Sequence, residues 1–437
     1  MSSVRSLRIK LAGTDVGSLF GLDDGRVYFR FDESYANNPD RPILSLAFMA
    51  GEEVLTRAQL LDPSLASLIG AGQGKLPVFF RNLLPEGVLR KHLISLSGLL
   101  IDDELGLLAF CGEDLPGDVV AVAEQLSDSQ LGRLITQDRD SYELSSYQLP
   151  TPRAVSLPGV QPKVSLMLES NGRYVMRSKD DIGRHFIAKL PASEYPNMPE
   201  IEKLAMDLAE AAGVTVCHTE LHPLSAIADN LPYALRTDAR NFLLVSRFDR
   251  DVKTPTKRLH MEDFAQVMER NPDEKYQGNY DDIGYLLTQF SSAGQDDILE
   301  LLRRIKVNEL LGNTDAHLKN FSLLYDSSAK NPRLSPAYDI VAYAAYIENY
   351  GHGLKFTEQQ TTSQILSPAV VRKLANSWHI PETRLADTVA TAVDNAMRRW
   401  PVMIAAATID ANQKRRLINH INENPSAKAW RRRNASV

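Results

Sequence analysis

At 437 residues, with 43% hydrophobic and 24% charged residues, the chain has ordinary globular usage and enough length for two or three packed units. A net charge of -6 argues against a protein that coats nucleic acid through its overall charge, and with only Cys111 and Cys217 no disulfide framework is implied, which fits a reducing cytoplasm. Eighteen uninterrupted apolar residues occur nowhere and Met1 to Gly13 has no long apolar core, so membrane spanning and secretion are not expected.

Residues 1–148 read as a β-rich first unit with several helices, including an amphipathic stretch around Leu83 to Ile94. Within it, Gly70-Ala71-Gly72-Gln73-Gly74-Lys75 imitates a phosphate loop, but Leu76 stands where Ser or Thr is needed and the glycine spacing is wrong, which leaves a turn. Pro150 and Pro152 mark a linker. Residues 153–250 then form a strand-rich unit. Ser156-Leu157-Pro158-Gly159-Val160-Gln161-Pro162-Lys163 is a turn-rich loop opening into Val164 to Leu168, and Asn171-Gly172 turns the chain back into Arg173 to Met176. His185 to Leu190 is an alternating strand that carries Lys189. A helix beginning near Pro199 and stopping at Gly213 has Ile201, Leu204, Ala205 and Leu208 on one apolar face, with Glu202 beside it. Cys217, His218 and His222 lack a second ligand pair at finger spacing and read as strand and loop residues rather than a zinc site. The apolar run Asn241 to Val245 leads into Ser246-Arg247-Phe248-Asp249-Arg250.

Residues 251–437 are mainly helical by spacing, with helices expected at Met261 to Met268, Ile283 to Phe290, Ala369 to Ala375 and Thr388 to Trp400. Ile298, Leu301, Leu302 and Ile305 recur at helical spacing and lead to Gly312, a helix stop. The run Asn313-Thr314-Asp315-Ala316-His317-Leu318-Lys319-Asn320 follows, then a short strand at Phe321 to Tyr325, a turn at Ser327 to Pro332, and Tyr338-Asp339-Ile340. From Lys414 to Arg433 seven Lys or Arg face only Glu423; this reads either as a solvated tail or as a patch that touches DNA phosphates when a partner docks the protein.

An Asp five residues before an Asn is the catalytic-loop spacing of a phosphotransferase: a carboxylate that orients the attacking hydroxyl and an amide oxygen that holds Mg²⁺ share one short loop facing the terminal phosphate of ATP. Asp315 and Asn320 have that spacing. The same pattern also fits a polar surface loop, so context decides. The order is that of a kinase: Pro158 to Lys163 as a phosphate-covering loop, Lys189 as the strand lysine, Glu202 as its helix partner, Ser246 to Phe248 as an adenine-holding hinge, and Asp339 as a second acid after a hairpin, bridging metal and phosphates with Asn320. Lys319 is placed to neutralise charge developing on the transferred group.

Taken together, these residues resemble the HipA-like serine/threonine kinases, toxins of bacterial type II toxin–antitoxin pairs. The resemblance rests on Ser156 to Lys163, Phe186-Ile187-Ala188-Lys189-Leu190-Pro191, Arg247-Phe248-Asp249-Arg250, Thr314 to Asn320 and Tyr338-Asp339-Ile340. Phe79-Phe80-Arg81-Asn82-Leu83-Leu84-Pro85-Glu86-Gly87 and Gly112-Glu113-Asp114-Leu115-Pro116-Gly117 extend it through the first unit. It implies an α+β fold with a bilobal, protein-kinase-like core, a β-rich N-terminal subdomain (1–148), a nucleotide-binding lobe (153–250) and a helical catalytic lobe (251–437). It implies Asp315 as catalytic base, ATP contacts from Pro158, Gly159, Val160, Gln161, Pro162, Lys163, Lys189, Ser246, Arg247, Phe248, His317, Leu318, Lys319, Asn320, Tyr338 and Asp339, and an autophosphorylation site at Ser156 whose modification silences the enzyme. The partners it implies are a HipB-like helix-turn-helix antitoxin, operator DNA through that antitoxin, and a protein substrate such as an aminoacyl-tRNA synthetase.

Two departures from the eukaryotic pattern shape this expectation: His317 follows the Asp rather than preceding it, and Tyr338-Asp339-Ile340 lacks the Gly of D-F-G. An Asp-x-His loop also resembles lipid kinases. A small-molecule or lipid kinase with the same core, and a nucleotide-binding transcriptional corepressor, are the alternatives.

Overall fold

The computed structural model describes residues 6–22, 25–72, 74–125, 163–168, 174–176, 184–192, 194–227, 239–250, 257–348 and 350–435. In chain order these hold β1 (Ser6–Leu11), β2 (Thr14–Gly21), β3 (Val27–Phe31), α1 (Glu53–Leu60), α2 (Gly87–Ser97), α3 (Glu104–Cys111) and β4 (Val119–Glu124). Next come β5 (Lys163–Leu168), β6 (Tyr174–Met176), β7 (Arg184–Lys189), α4 (Met198–Ala211), β8 (Thr219–Pro223), β9 (Asn241–Ser246) and β10 (Met261–Asp263). The remainder is α5 (Tyr280–Phe290), α6 (Gln295–Leu311), β11 (Ser322–Leu324), β12 (Arg333–Leu334), α7 (Pro368–Ser377), α8 (Glu382–Ala406), α9 (Ala411–Glu423) and α10 (Pro425–Asn434). Two compact units divide the chain: Met1–His185 with Asp249–Glu274 and Leu324–Asn331, and Phe186–Phe248 with Lys275–Leu323 and Pro332–Val437.

In the first unit an antiparallel sheet runs β3-β2-β1-β4. Leu7, Ile9 and Leu11 alternate inward along β1 while Arg8 and Lys10 turn out, the period-2 pattern of a half-buried strand. Phe80 packs on Phe29 of β3 and Phe79 on Phe48, with ring centroids 4.8 and 6.3 Å apart. The polar residues of the same motif bond to a distant segment: Asn82 Nδ2 donates to the Arg270 carbonyl (2.8 Å) and Arg81 reaches Asn271 (2.8 Å) and Glu104 (3.2 Å). Likewise Asp114 accepts from Arg250 at 2.8 Å, and Asp249 Oδ2 accepts from the Gly117 amide at 2.9 Å. The motif residues Arg81, Asn82, Asp114, Asp249 and Arg250 are therefore internal fasteners of this unit.

The second unit is built on β7, β9 and β8, antiparallel with Lys189 opposite Leu243 and Thr219 opposite Val245. The apolar stripe of α4 (Ile201, Leu204, Ala205, Leu208) covers Leu243 and Val245 and shares one core with Val307, Leu310 and Leu311 of α6 and with Trp400 of α8. Gly312 ends α6 in the left-handed conformation at φ +65°, the stop its position suggests.

Three elements differ from the sequence expectation. Met261 to Asp263 is a strand, because Asp263 and Gln266 form a capping box that starts the helix only at Phe264. Helix α8 does not stop before Pro401 but runs to Ala406: the proline is solvent-exposed and forgoes one backbone bond, while buried Ile404 keeps the next turn on the core. The basic C-terminal run is no loose tail. Gln413, Leu417, His420 and Ile421 bury one face of α9, and α10 follows it directly. No helix among the described residues is long and apolar enough to cross a membrane.

Candidate active site

Helix α6 delivers the chain to residues 313–320, where the Asn313 amide still donates to the Asn308 carbonyl at 2.8 Å. The loop closes in a single 3₁₀ turn, Leu318–Asn320. Two neighbouring segments press on it through glycines. A Cβ on Gly278 would lie 2.7 Å from the Leu318 side chain, which would have to turn aside, and one on Gly353 would lie 2.6 Å from the Ala316 carbonyl oxygen, so a larger residue at 353 would displace the loop. A backbone bond from Leu318 N–H to the Lys275 carbonyl (3.0 Å) fixes the first of these segments in place.

Lys189, Glu202, Asn320 and Asp339 come together from β7, α4, the loop and the segment after β12. The Lys189 ammonium donates to Glu202 Oε1 and to Asp339 Oδ1. Asn320 Nδ2 donates to Asp339 Oδ2 at 2.9 Å, and Asn320 Oδ1 accepts the His317 amide at 3.1 Å. Burial alone would push Lys189 down, but the charges of Asp339 and Glu202 outweigh it and hold the ammonium above the ordinary lysine range. Asp339 sits at φ +58°, a left-handed conformation that Asp tolerates better than most residues and that turns its carboxylate toward Lys189 and Asn320.

Asp315 is half-buried, and both of its oxygens face phenols: Tyr276 donates to Oδ1 and Tyr343 to Oδ2 at 3.4 Å. Burial pushes its carboxyl upward, with the Tyr276 bond opposing and the Asp339 charge reinforcing that shift. His317 is pushed down to about 3 by burial, with Lys275 next in effect, so its imidazole is neutral at physiological pH. The Tyr338 hydroxyl donates to the Lys319 carbonyl at 2.7 Å and shares a hydrogen bond with Ser322, and the Phe248 ring tilts against Tyr338 with centroids 5.5 Å apart. Leu318 is buried in the loop.

The remaining sequence candidates lie on other elements or outside the described residues. Ser246 ends β9 with its amide bonded to the His218 carbonyl (2.9 Å), and Arg247 beside it is buried. Lys163 opens β5 in the first unit and is buried. Ser156, Pro158, Gly159, Val160, Gln161 and Pro162 lie outside the described residues. Tyr276 and Tyr343 were missed by sequence reasoning. No local pattern marks either one, although Gly278, two residues past Tyr276, is a trace of the close packing there. His218 and His222 both bond Glu220 on β8, and among the described residues no group of three or more His, Cys, Asp or Glu is arranged to hold a metal ion.

An α+β fold with a strand lysine paired to a helix glutamate and to an acid beyond the loop hairpin defines a kinase-like protein. Comparison with known proteins agrees. Residues 155–400 match the HipA-like C-terminal domain and residues 7–122 the HipA N-terminal domain. The chain is 33% identical over 404 residues to a Sinorhizobium fredii protein named as a kinase, Y4dM, with 92% of each covered. It is 25% identical over 319 residues to the serine/threonine-protein kinase toxin HipA of Shewanella oneidensis, covering 65% of this chain and 67% of that one. Among solved structures, the Shewanella oneidensis MR-1 complex of HipA, HipB and operator DNA contains a chain that superposes with a TM-score of 0.65 at 16% identity, over 98% of this chain and 97% of that one. The chain belongs to the HipA-like kinase family.

Proposed function

We propose that the chain is an ATP- and Mg²⁺-dependent protein serine/threonine kinase acting as the toxin of a HipBA-like pair. The observation that carries this reading is the bonding of Lys189 to both Glu202 and Asp339, with Asn320 on the other oxygen of Asp339. Kinases use such a lysine to hold the α- and β-phosphates. The chemistry of the donors suits Mg²⁺, a hard cation commonly held by one or two protein oxygens and completed by phosphates and water. Asp339 offers carboxylate oxygens, and Asn320 Oδ1, which accepts one hydrogen bond, has a second lone pair. Bound there, the ion would neutralise charge on the transferring phosphate.

In this reading Asp315 accepts the proton of the attacking hydroxyl, and burial, by raising its carboxyl, makes the ionised form a stronger base. Neutral His317 packs beside it without competing as a charge, and Lys319 faces the departing phosphoryl charge. Phe248 and Tyr338 form the apolar side on which adenine rests, with Ser246 and Arg247 adjoining. By the family resemblance, Pro158 to Lys163 are assigned to ATP binding and Ser156 to autophosphorylation. The likeness to a chain solved with HipB and operator DNA supports a helix-turn-helix antitoxin partner, and the toxin relative supports a protein acceptor, with an aminoacyl-tRNA synthetase as the candidate.

Incubation with γ-labelled ATP, Mg²⁺ and cell lysate tests the reading. Label is expected in protein bands, and Asp315→Asn is expected to abolish it with ATP binding retained. Label found only in extractable metabolites would replace the protein kinase by a small-molecule or lipid kinase; full labelling by Asp315→Asn would remove Asp315 from the mechanism.

A further inference from the structure

Residues 275–281 form a strap across the catalytic loop. Its Lys275 carbonyl accepts from Leu318 N–H, Gly278 packs on Leu318, and Asn279 caps α5 by accepting from the Asp282 amide at 2.8 Å. The Tyr280 amide then bonds the Lys355 carbonyl at 2.9 Å, so the strap is tied at both ends. Tyr276 lies between these ties. Its ring meets His317 edge-on (5.2 Å between centroids, 80°), the Lys275 ammonium lies 5.6 Å from the ring centre, and its phenol donates to Asp315 Oδ1 while the residue remains 45% exposed.

A hydroxyl donating to the carboxylate of a candidate base is the arrangement an attacking hydroxyl must itself make. Asp315 has two oxygens, and Tyr343 faces the second. Each oxygen keeps a second lone pair, but an acceptor that takes the direction a phenol already occupies displaces that phenol. Tyr343 is the more buried of the two, its ring set edge-on against Tyr195 at 5.9 Å, whereas Tyr276 is open to solvent.

We infer that Tyr276 is a positioning residue that holds the acceptor's place on Asp315, orienting the carboxylate and keeping water from it until a hydroxyl substrate displaces the phenol. This rests on the reading of Asp315 as the base. The groups facing Asp315 are Tyr276, Tyr343, Asp339 and Lys275. Of these the Tyr276 bond is the largest influence favouring the ionised form, so its loss moves Asp315 toward protonation at higher pH.

The test is ATP hydrolysis by the full chain with Mg²⁺, water being the acceptor, for wild type, Tyr276→Phe, Tyr276→Leu and Asp315→Asn across pH. Phe keeps the ring against His317 and Lys275, and a thermal melt checks that the fold is unchanged. Removing one competing hydrogen bond is expected to raise hydrolysis about fivefold, with the acidic limb of the pH–rate profile moved to higher pH. Leu is expected to change both in the same direction. Hydrolysis that is unchanged or reduced in both Tyr276 variants, with Asp315→Asn inactive, overturns the placeholder role alone. Hydrolysis that survives Asp315→Asn overturns instead the assignment of the base on which it depends.

Discussion

Lys189 occupies a position that only a cation can hold, since its ammonium is shared by two carboxylates that would otherwise face each other across a buried space. Both oxygens lie within hydrogen-bond reach of one nitrogen, so Glu202 and Asp339 repel strongly when the nitrogen is removed. Lys189→Met is expected to destabilise the second unit by about 3 kcal/mol, read from urea denaturation. Adding Glu202→Leu removes one of the two negative charges and is expected to recover most of that loss while phosphate transfer stays silent. The pair of variants thus separates a structural part of Lys189 from the phosphate-holding part proposed for it. Equal stability of the single and double variants would mean that the two carboxylates do not sense each other through Lys189.

At the scale of elements, α6 positions the loop at 313–320, and a buried carboxylate near the end of the helix positions α6. Glu309 takes Lys306 Nζ at 2.5 Å, Leu366 N–H at 2.6 Å, Asn424 Nδ2 at 2.9 Å and His352 Nε2 at 3.2 Å, while its carbonyl accepts from His420 at 3.0 Å. One side chain therefore ties α6 to the segment around 352–366 and to the junction of α9 and α10. Burial opposes its charge, but Lys306 and His352 hold the carboxyl well below the usual range. Glu309→Ala leaves the fully buried Lys306 without its counter-charge and is expected to cost about 3–5 kcal/mol in urea denaturation. Because the folded value is depressed, the contribution of Glu309 is complete above the ordinary glutamate range and is lost as pH falls below it. A Glu309→Ala variant as stable as wild type at neutral pH would show that water replaces the network.

This network also shows what a sequence conceals. Ile298, Leu301, Leu302 and Ile305 announce a helix with one apolar face, yet Arg304, Lys306, Asn308 and Glu309 are buried as well, because Ser335 meets Arg304, Asn313 meets Asn308, and partners from residues 352–426 meet Lys306 and Glu309. The loop at 313–320, the strand of Lys189 and the helix of Glu202 were legible because each is a local pattern whose spacing follows from backbone geometry. Tyr276 and Tyr343 were not, since nothing around them predicts that two remote phenols meet at Asp315. The helix expected to end at Trp400 runs on for a related reason: Pro401 locally favours a stop, and burial of Ile404 overrides it.

Over the whole molecule, chain order and compact units do not coincide: Asp249–Glu274 and Leu324–Asn331 return to the first unit after the chain has entered the second. Glu262 joins three of these strangers in sequence. Fully buried, it accepts from Ser45 Oγ at 2.5 Å, from Leu46 N–H at 3.0 Å and from the Tyr325 hydroxyl. Burial dominates over these bonds and pushes its carboxyl up to about 7 from an ordinary 4.5. The folded state thus binds a proton that the unfolded chain has already released, so the stabilisation is fully present below about 4.5 and disappears as pH rises through about 7. The span corresponds to about 3 kcal/mol. Glu262→Gln keeps the shape and removes the titration, so the wild type is expected to lose about that much stability relative to the variant between pH 5 and pH 8, measured as urea midpoints at several pH values. Parallel profiles for the two proteins would mean that Glu262 is folded as a carboxylate, its three donors outweighing the cost of burying the charge.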